Sequence, residues 1–99
     1  MPIGRMDVSF EWDEDKAKAN QRKHGINFAE AITVFDDPIL WTFPDVEHSE
    51  AEDRYISIGT SFRGTVIVVV HLDRNANIWI ISCRKATAYE RSAYEEQDL

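Results

Sequence analysis

Thr65-Val66-Ile67-Val68-Val69-Val70-His71-Leu72 constrains the fold more than any other stretch of this chain. It is short, almost wholly β-branched, and apolar at odd and even positions alike. Successive side chains of a strand point to opposite faces, so a run that is apolar on both parities needs cover on both sides. The chain must therefore build a sheet with this strand inside it. Asp73-Arg74-Asn75-Ala76-Asn77 follows with turn-forming residues, and Ile78-Trp79-Ile80-Ile81-Ser82-Cys83 is a second strand-like run. Together they predict an antiparallel hairpin.

The 99 residues leave room for one domain spanning 1–99 and for no second core. No apolar run approaches the roughly 18 residues that cross a bilayer, so no membrane partner is expected. Residues 1–7 lack an apolar signal core and periodicity and read as a flexible arm, and the lone Cys83 forms no internal disulfide. The expectation is a soluble, cytoplasmic protein. The formal net charge of -7 argues against coating nucleic acid with the whole surface, since phosphate binding needs clustered Lys and Arg. The charge is unevenly spread, however. Residues 26–53 carry eight acids and no Lys or Arg, whereas residues 54–94 carry six Lys or Arg against Asp73 and Glu90, so a local cationic cleft is compatible with the total.

Local signals give the remaining elements. Val8 to Trp12 alternates as a half-buried strand does. Asp13 is an N-cap, and acidic Glu14 and Asp15 followed by basic Arg22, Lys23 and His24 match the dipole of a helix over 14–24 that Gly25 ends. Asn27 with Glu30 has the pattern of a capping box, and Phe28, Ala31, Ile32 and Phe35 form one face of a second helix, which Asp36-Asp37-Pro38 stops. Strands follow at Ile39 to Phe43 and Arg54 to Thr60, separated by a solvated acidic loop over 45–53. Thr87 with Glu90 is another capping box, opening a helix to about Gln97. The predicted class is α+β, in the order β-α-α-β-β-β-β-α, with an antiparallel sheet.

No Gly-rich phosphate loop, Cys/His metal spacing or nucleophile elbow is present, so no cofactor and no metal ligand set is predicted. The polar groups of interest fall where elements end, the usual place for function on a rigid scaffold. Lys23 and His24 read first as cations on a helix C-terminus. Arg84 and Lys85, just before a capped helix, read equally as a phosphate site or as ordinary surface charge. Arg63 lies in a hairpin turn. His71 reads as a core-edge histidine, His48 as a loop residue, and Tyr89 and Tyr94 as packing groups or hydroxyl donors.

Phe10-Glu11-Trp12-Asp13 with Lys16 and Asn20, Lys23-His24-Gly25, Phe28-Ala29-Glu30-Ala31, Val34 to Pro38, Asp53-Arg54-Tyr55 with Ile58-Gly59, and Ile81 to Ala86 with Glu90 and Tyr94 stand in an order and spacing that resembles the BrnT-type toxins of type II toxin-antitoxin systems. The resemblance runs from about Phe10 to Tyr94. It implies a RelE-like fold and an endoribonuclease that arrests translation. It also implies neutralisation by a BrnA-type antitoxin with a ribbon-helix-helix domain, in a 2:2 complex that reaches DNA only through the antitoxin. By that resemblance Lys23, His24, Arg63, Arg84 and Tyr94 are catalytic candidates, and Lys85 and Tyr89 substrate-binding ones. The implied chemistry is metal-free attack of an RNA 2'-hydroxyl on its own phosphate, which needs a base, an acid and cations. Imidazole, which ordinarily titrates near ~6.5, makes His24 the acid-base candidate. The competing expectation is a non-catalytic protein-interaction module, built on the aromatic strand at 39–43 and the acidic loop.

Overall fold

Two-sided cover for the Val-rich run is what the computed structural model provides; it describes residues 8–48 and 53–97. The elements are β1 (Ser9–Glu11), α1 (Glu14–His24), α2 (Phe28–Ala31) continued by a 3-10 turn (Ile32–Asp36), β2 (Trp41–Pro44), β3 (Arg54–Thr60), β4 (Val66–Arg74), β5 (Asn77–Lys85) and α3 (Ala88–Glu96). The arm predicted at 1–7, and residues 49–52 of the acidic stretch, lie outside the described residues.

The strands form one sheet in the order β1-β5-β4-β3-β2, which puts β4 in the centre. The α+β class and the element order agree with the sequence reading, but the sheet is mixed. Pairs β2–β3, β3–β4 and β4–β5 are antiparallel, while β1 lies parallel to β5 through Ser9↔Asn77, Phe10↔Ile78 and Glu11↔Trp79. Two strands far apart in the chain, with helices between them, are free to pair in either direction, so local pattern does not fix this one.

The pleat of β4 divides the core in two. Ile67, Val69 and His71 face α1, α2 and the 3-10 turn, where Ala17, Phe28, Ala31 and Val34 bury them. This is the closed face. Val66, Val68 and Val70 point the other way, and α3 covers part of that side by setting Tyr94 against Ile58 and Val68. The rest of that side is the open face. Burying a side chain such as Phe28 fully is worth roughly 1.5–3 kcal/mol, so the closed face is where the fold holds most firmly.

α1 keeps the predicted limits and caps. The Asp13 carboxylate accepts from the N–H groups of Asp15 and Lys16, and Gly25 ends the helix at φ 75°, a left-handed conformation that costs glycine little. The second helix departs from expectation after one turn, tightening into a 3-10 geometry of three residues per turn. Phe28, Ala31 and Val34, spaced by three, are buried, while Ile32 and Phe35 are only half-buried. Gly59 makes the close approach possible, because a Cβ there would stand 3.1 Å from the Val34 Cβ and 2.9 Å from a Leu40 methyl.

Candidate active site on the open sheet face

The geometry begins with one extra residue in β5. Pairing runs His71↔Ile80 and then Val70↔Ser82, so Ile81 is bulged out. The bulge reverses parity for the rest of the strand. Ile78, Ile80 and Cys83 therefore share the closed face, and Ser82 and Arg84 turn to the open face beside Val70 and Val68. Without the bulge, Arg84 would point into the closed core.

His24 reaches the same place from α1. β1 pairs with Asn77–Trp79, and among the described residues no strand lies along the outer edge of β5 at Cys83. Asn20 takes that place: its Nδ2 donates to the Cys83 carbonyl at 3.0 Å and its Oδ1 accepts from the Cys83 N–H at 3.1 Å. The same Nδ2 also donates to the Ile26 carbonyl at 3.2 Å. One buried amide thus fastens α1, the Gly25 turn and the end of β5 together. His24 follows one helical turn later, over the edge of the sheet.

His24, Ser82, Arg84 and Glu90 rim a cavity of about 450 Å³ whose floor is Phe43, Ile56, Ile58, Val68 and Val70. Glu90, from the first turn of α3, grips Arg84 with both oxygens, at 2.7 Å to Nη1 and 2.8 Å to Nη2. It also accepts from the Thr87 N–H at 2.8 Å, completing the predicted capping box. The Arg84 guanidinium, aided by the Thr87 N–H and opposed by burial, holds the Glu90 carboxyl down to about 2. Glu90 in turn raises the Arg84 pKa. The cavity thus presents a fixed guanidinium and an imidazole over an apolar floor, the set needed to hold a phosphodiester and move a proton near it.

The other sequence candidates are dispersed. Lys23 is exposed beside His24, and Lys85 is exposed on the strand position whose pleat faces away from Arg84. Tyr89 is 83% exposed on α3. Arg63 lines a different cavity, with Gln21, Gly25 and Asn27, and its Nε lies 3.8 Å from Glu30. Tyr94 is buried, and its hydroxyl bonds the Asp37 carboxylate and Thr60 Oγ1. Burial pushes the Asp37 carboxyl up, but bonds from Tyr94 and from the Thr60 and Ile39 N–H groups hold it below the usual range. Burial, then Asp37, raises the Tyr94 phenol. This network joins α3 to the end of β3, and Tyr94 packs there against Ile58 and Val68 of the cavity floor.

The closed face holds a second polar chain. Thr42 Oγ1 lies 2.7 Å from Ser57 Oγ, Ser57 Oγ 2.8 Å from His71 Nε2, and His71 Nδ1 2.7 Å from Asp73. The connectivity is that of a Ser-His-Asp triad. Ser57 is wholly buried and His71 sits between the rings of Phe35 and Tyr55, so no substrate reaches the hydroxyl. Burial lowers the His71 pKa, against the pull of Asp73. Burial likewise pushes the Cys83 thiol up to about 11, so it is no nucleophile at neutral pH.

The sequence marks Glu90 as a cap and as part of the family's C-terminal pattern, without its grip on Arg84, and gives Asn20 no role beyond its place in the resemblance. For Asn20 a signal existed: asparagine is a poor helix-interior residue among Ala, Lys and Gln unless something tertiary holds its amide. For Glu90 there was little, since pairing across a strand-to-helix corner is not a local pattern.

With this geometry in place, comparison with known proteins gives a consistent result. The family model for the BrnT ribonuclease toxin of type II toxin-antitoxin systems matches residues 12–90. The crystal structure of the Brucella abortus ribonuclease toxin BrnT is similar to this chain, with a TM-score of 0.64 and 26% identity over 81% of this chain and 97% of that one. No curated protein sequence matches.

Proposed function

Because this chain belongs to the BrnT family of ribonuclease toxins of type II toxin-antitoxin systems, we propose that it cleaves single-stranded RNA by metal-independent transesterification in the open-face cavity and so arrests translation. The observation that carries the reading is that His24 and Arg84, from a helix end and a bulged strand, rim one cavity. The RNA 2'-oxygen attacks its own phosphorus and the bond from phosphorus to the 5'-oxygen breaks, leaving a 2',3'-cyclic phosphate and a 5'-hydroxyl. His24 takes the proton from the 2'-hydroxyl and delivers it to the departing 5'-oxygen, so no net proton is consumed. Arg84 balances the charge that grows on the phosphoryl oxygens, and Glu90 keeps its fork aimed. Lys23, exposed next to His24 in the chain and outside the cavity lining, supplies a second cation to the flanking RNA. Tyr94 acts on the site through the placement of α3, as a positioning residue.

Membership of a type II system brings an antitoxin partner. A BrnA-type ribbon-helix-helix dimer carrying two toxins is the stoichiometry that suits a symmetric DNA-binding protein, and the cytoplasm is where both would act. Light scattering of the co-purified pair tests the 2:2 complex, and a single toxin per antitoxin dimer would refute it. The test of the activity is incubation of the protein with single-stranded RNA, with and without EDTA. Cyclic-phosphate ends that persist in EDTA, and resistance of a strand with a 2'-deoxy residue at the scission point, are expected. Cleavage that EDTA abolishes would overturn the metal-free chemistry. A chain that leaves RNA intact yet binds its antitoxin through the apolar floor of Phe43, Ile56 and Val70 would instead be a non-catalytic interaction module.

A further inference from the structure

The turn between β3 and β4 is built more firmly than a connecting turn requires. Ser61 is buried, and its Oγ donates to Glu30 Oε2 at 2.7 Å while accepting from the N–H groups of Arg63 at 3.2 Å and Thr65 at 3.4 Å. The Phe62 N–H donates to Thr33 Oγ1 at 3.0 Å, and Thr33 Oγ1 donates to the Glu30 carbonyl at 2.7 Å. Three side chains thus tie the turn to α2 and the 3-10 turn. What they hold up is an aromatic ring, Phe62, 71% exposed, with the Arg63 guanidinium 5.5 Å from its centroid. One exposed ring alone means little. Here it borders a cavity of about 360 Å³ that also has Gln21, Gly25, Asn27 and Glu30 in its wall, a volume within the roughly 300–1,000 Å³ range of small-ligand sites. Gly25 directly follows His24, so this cavity and the candidate active site flank the same helix end.

We infer that the Phe62 cavity is a second RNA subsite, taking one unpaired nucleobase of the strand held at the active site, stacked on Phe62 with its phosphate at Arg63. The inference rests on the ribonuclease reading and extends it. Because the Ser61 and Thr33 bonds fix the backbone that carries Phe62, only the ring's own rotamers remain to be ordered when a base stacks on it. Stacking accepts any base, because each has a π face. The side-chain amide of Gln21 offers both a donor and an acceptor to a base edge. Glu30, 3.8 Å from Arg63 Nε, disfavours a phosphate inside the cavity, so the phosphate binds on the solvent side of the guanidinium. Arg63 is in this view a binding group, separate from the proton transfers at His24.

Binding is measured with a fully 2'-O-methylated oligoribonucleotide, which cannot undergo 2'-hydroxyl attack. Phe62→Ala should weaken it roughly 5- to 150-fold, the range for losing one base–aromatic stack. Phe62→Trp should retain affinity. An abasic residue at the stacked position should weaken binding to the wild type by a similar factor and make no difference to Phe62→Ala. Arg63→Gln should lower the salt dependence by about one counterion. Equal affinity of wild type and Phe62→Ala, an abasic penalty identical in both, or a wild type that binds no oligonucleotide would overturn the subsite. Cleavage of ordinary RNA is scored separately. A protein that shows the Phe62-dependent binding but cleaves nothing keeps the subsite and refutes the ribonuclease reading. One that cleaves with unchanged affinity in Phe62→Ala refutes the subsite alone.

Discussion

Each face of the sheet carries a histidine in a polar cluster, and the two clusters have opposite fates. On the closed face, His71 has a partner at each ring nitrogen, Ser57 and Asp73, at 2.8 and 2.7 Å. On the open face, His24 rims a 450 Å³ cavity beside a guanidinium held by a carboxylate. The closed-face chain looks more like a catalytic device on paper, but burial removes it from any substrate and leaves it a role in holding the core. The open-face cluster has simpler connectivity and has access. Access decides which of the two can do chemistry.

The sharpest way to break that contrast is substitution on the open face. His24→Ala should lower RNA cleavage by about 10²- to 10⁴-fold. Arg84→Ala should lower it by about 10²- to 10³-fold. Circular dichroism should show both proteins folded, since neither group belongs to the buried core. Folded variants with full activity would move the chemistry elsewhere. On the closed face Ser57→Ala should do the reverse. It strips the His71 Nε2 of its partner in a buried site and should cost ~1–3 kcal/mol of stability in urea titrations. The cleavage rate, measured where the variant remains folded, should not change.

Acid separates the faces by pH window. Burial keeps His71 below its ordinary value of 6.5, so the unfolded chain takes up that proton first and stability falls as pH drops below 6.5. The Glu90 carboxyl, held at about 2 against an ordinary 4.5, contributes stability above 4.5 that is lost as pH falls from there toward 2. His71→Gln should flatten the first decline in urea midpoint and Arg84→Ala the second; a profile unchanged by either variant would contradict the assignment. The smallest effect is expected where neither face is involved. Lys85→Ala and Tyr89→Ala, both exposed, should shift stability by no more than about ±0.5 kcal/mol, and their cleavage rates show whether either touches RNA.

How much of this was legible in the sequence follows from how far apart the partners lie. The limits of α1, set by Asp13 and Gly25, and the capping box of Thr87 and Glu90 are local signals and appear where expected. Two-sided apolarity placed β4 in the centre. Partners remote in sequence were not legible: the parallel pairing of β1 with β5, the Asn20 amide standing in for a strand at Cys83, the Asp37–Tyr94 link, and the separation of Arg63 from Arg84. Val34 was missed because the chain changes from a period of 3.6 to one of 3 within a single element.

The bulge at Ile81 gives β5 a second conceivable register against β4. The β4–β5 hairpin turns at Asn75-Ala76, and zipping outward from there reaches His71↔Ile80 in simple register. Continued without the extra residue, the zipper would set Val69 against Ser82 and Ile67 against Arg84, sending both polar side chains toward the helices and Cys83 into the cavity. The two registers share their first contacts and differ by one step. Two features distant from the turn reject the wrong one. The apolar layer of Phe28 and Ala31 penalises a buried guanidinium by several kcal/mol. Asn20 finds a matching N–H and C=O only if Cys83 presents them to α1. The docked helix thus selects between the two registers by energy, and the side of the sheet on which Arg84 stands depends on that choice.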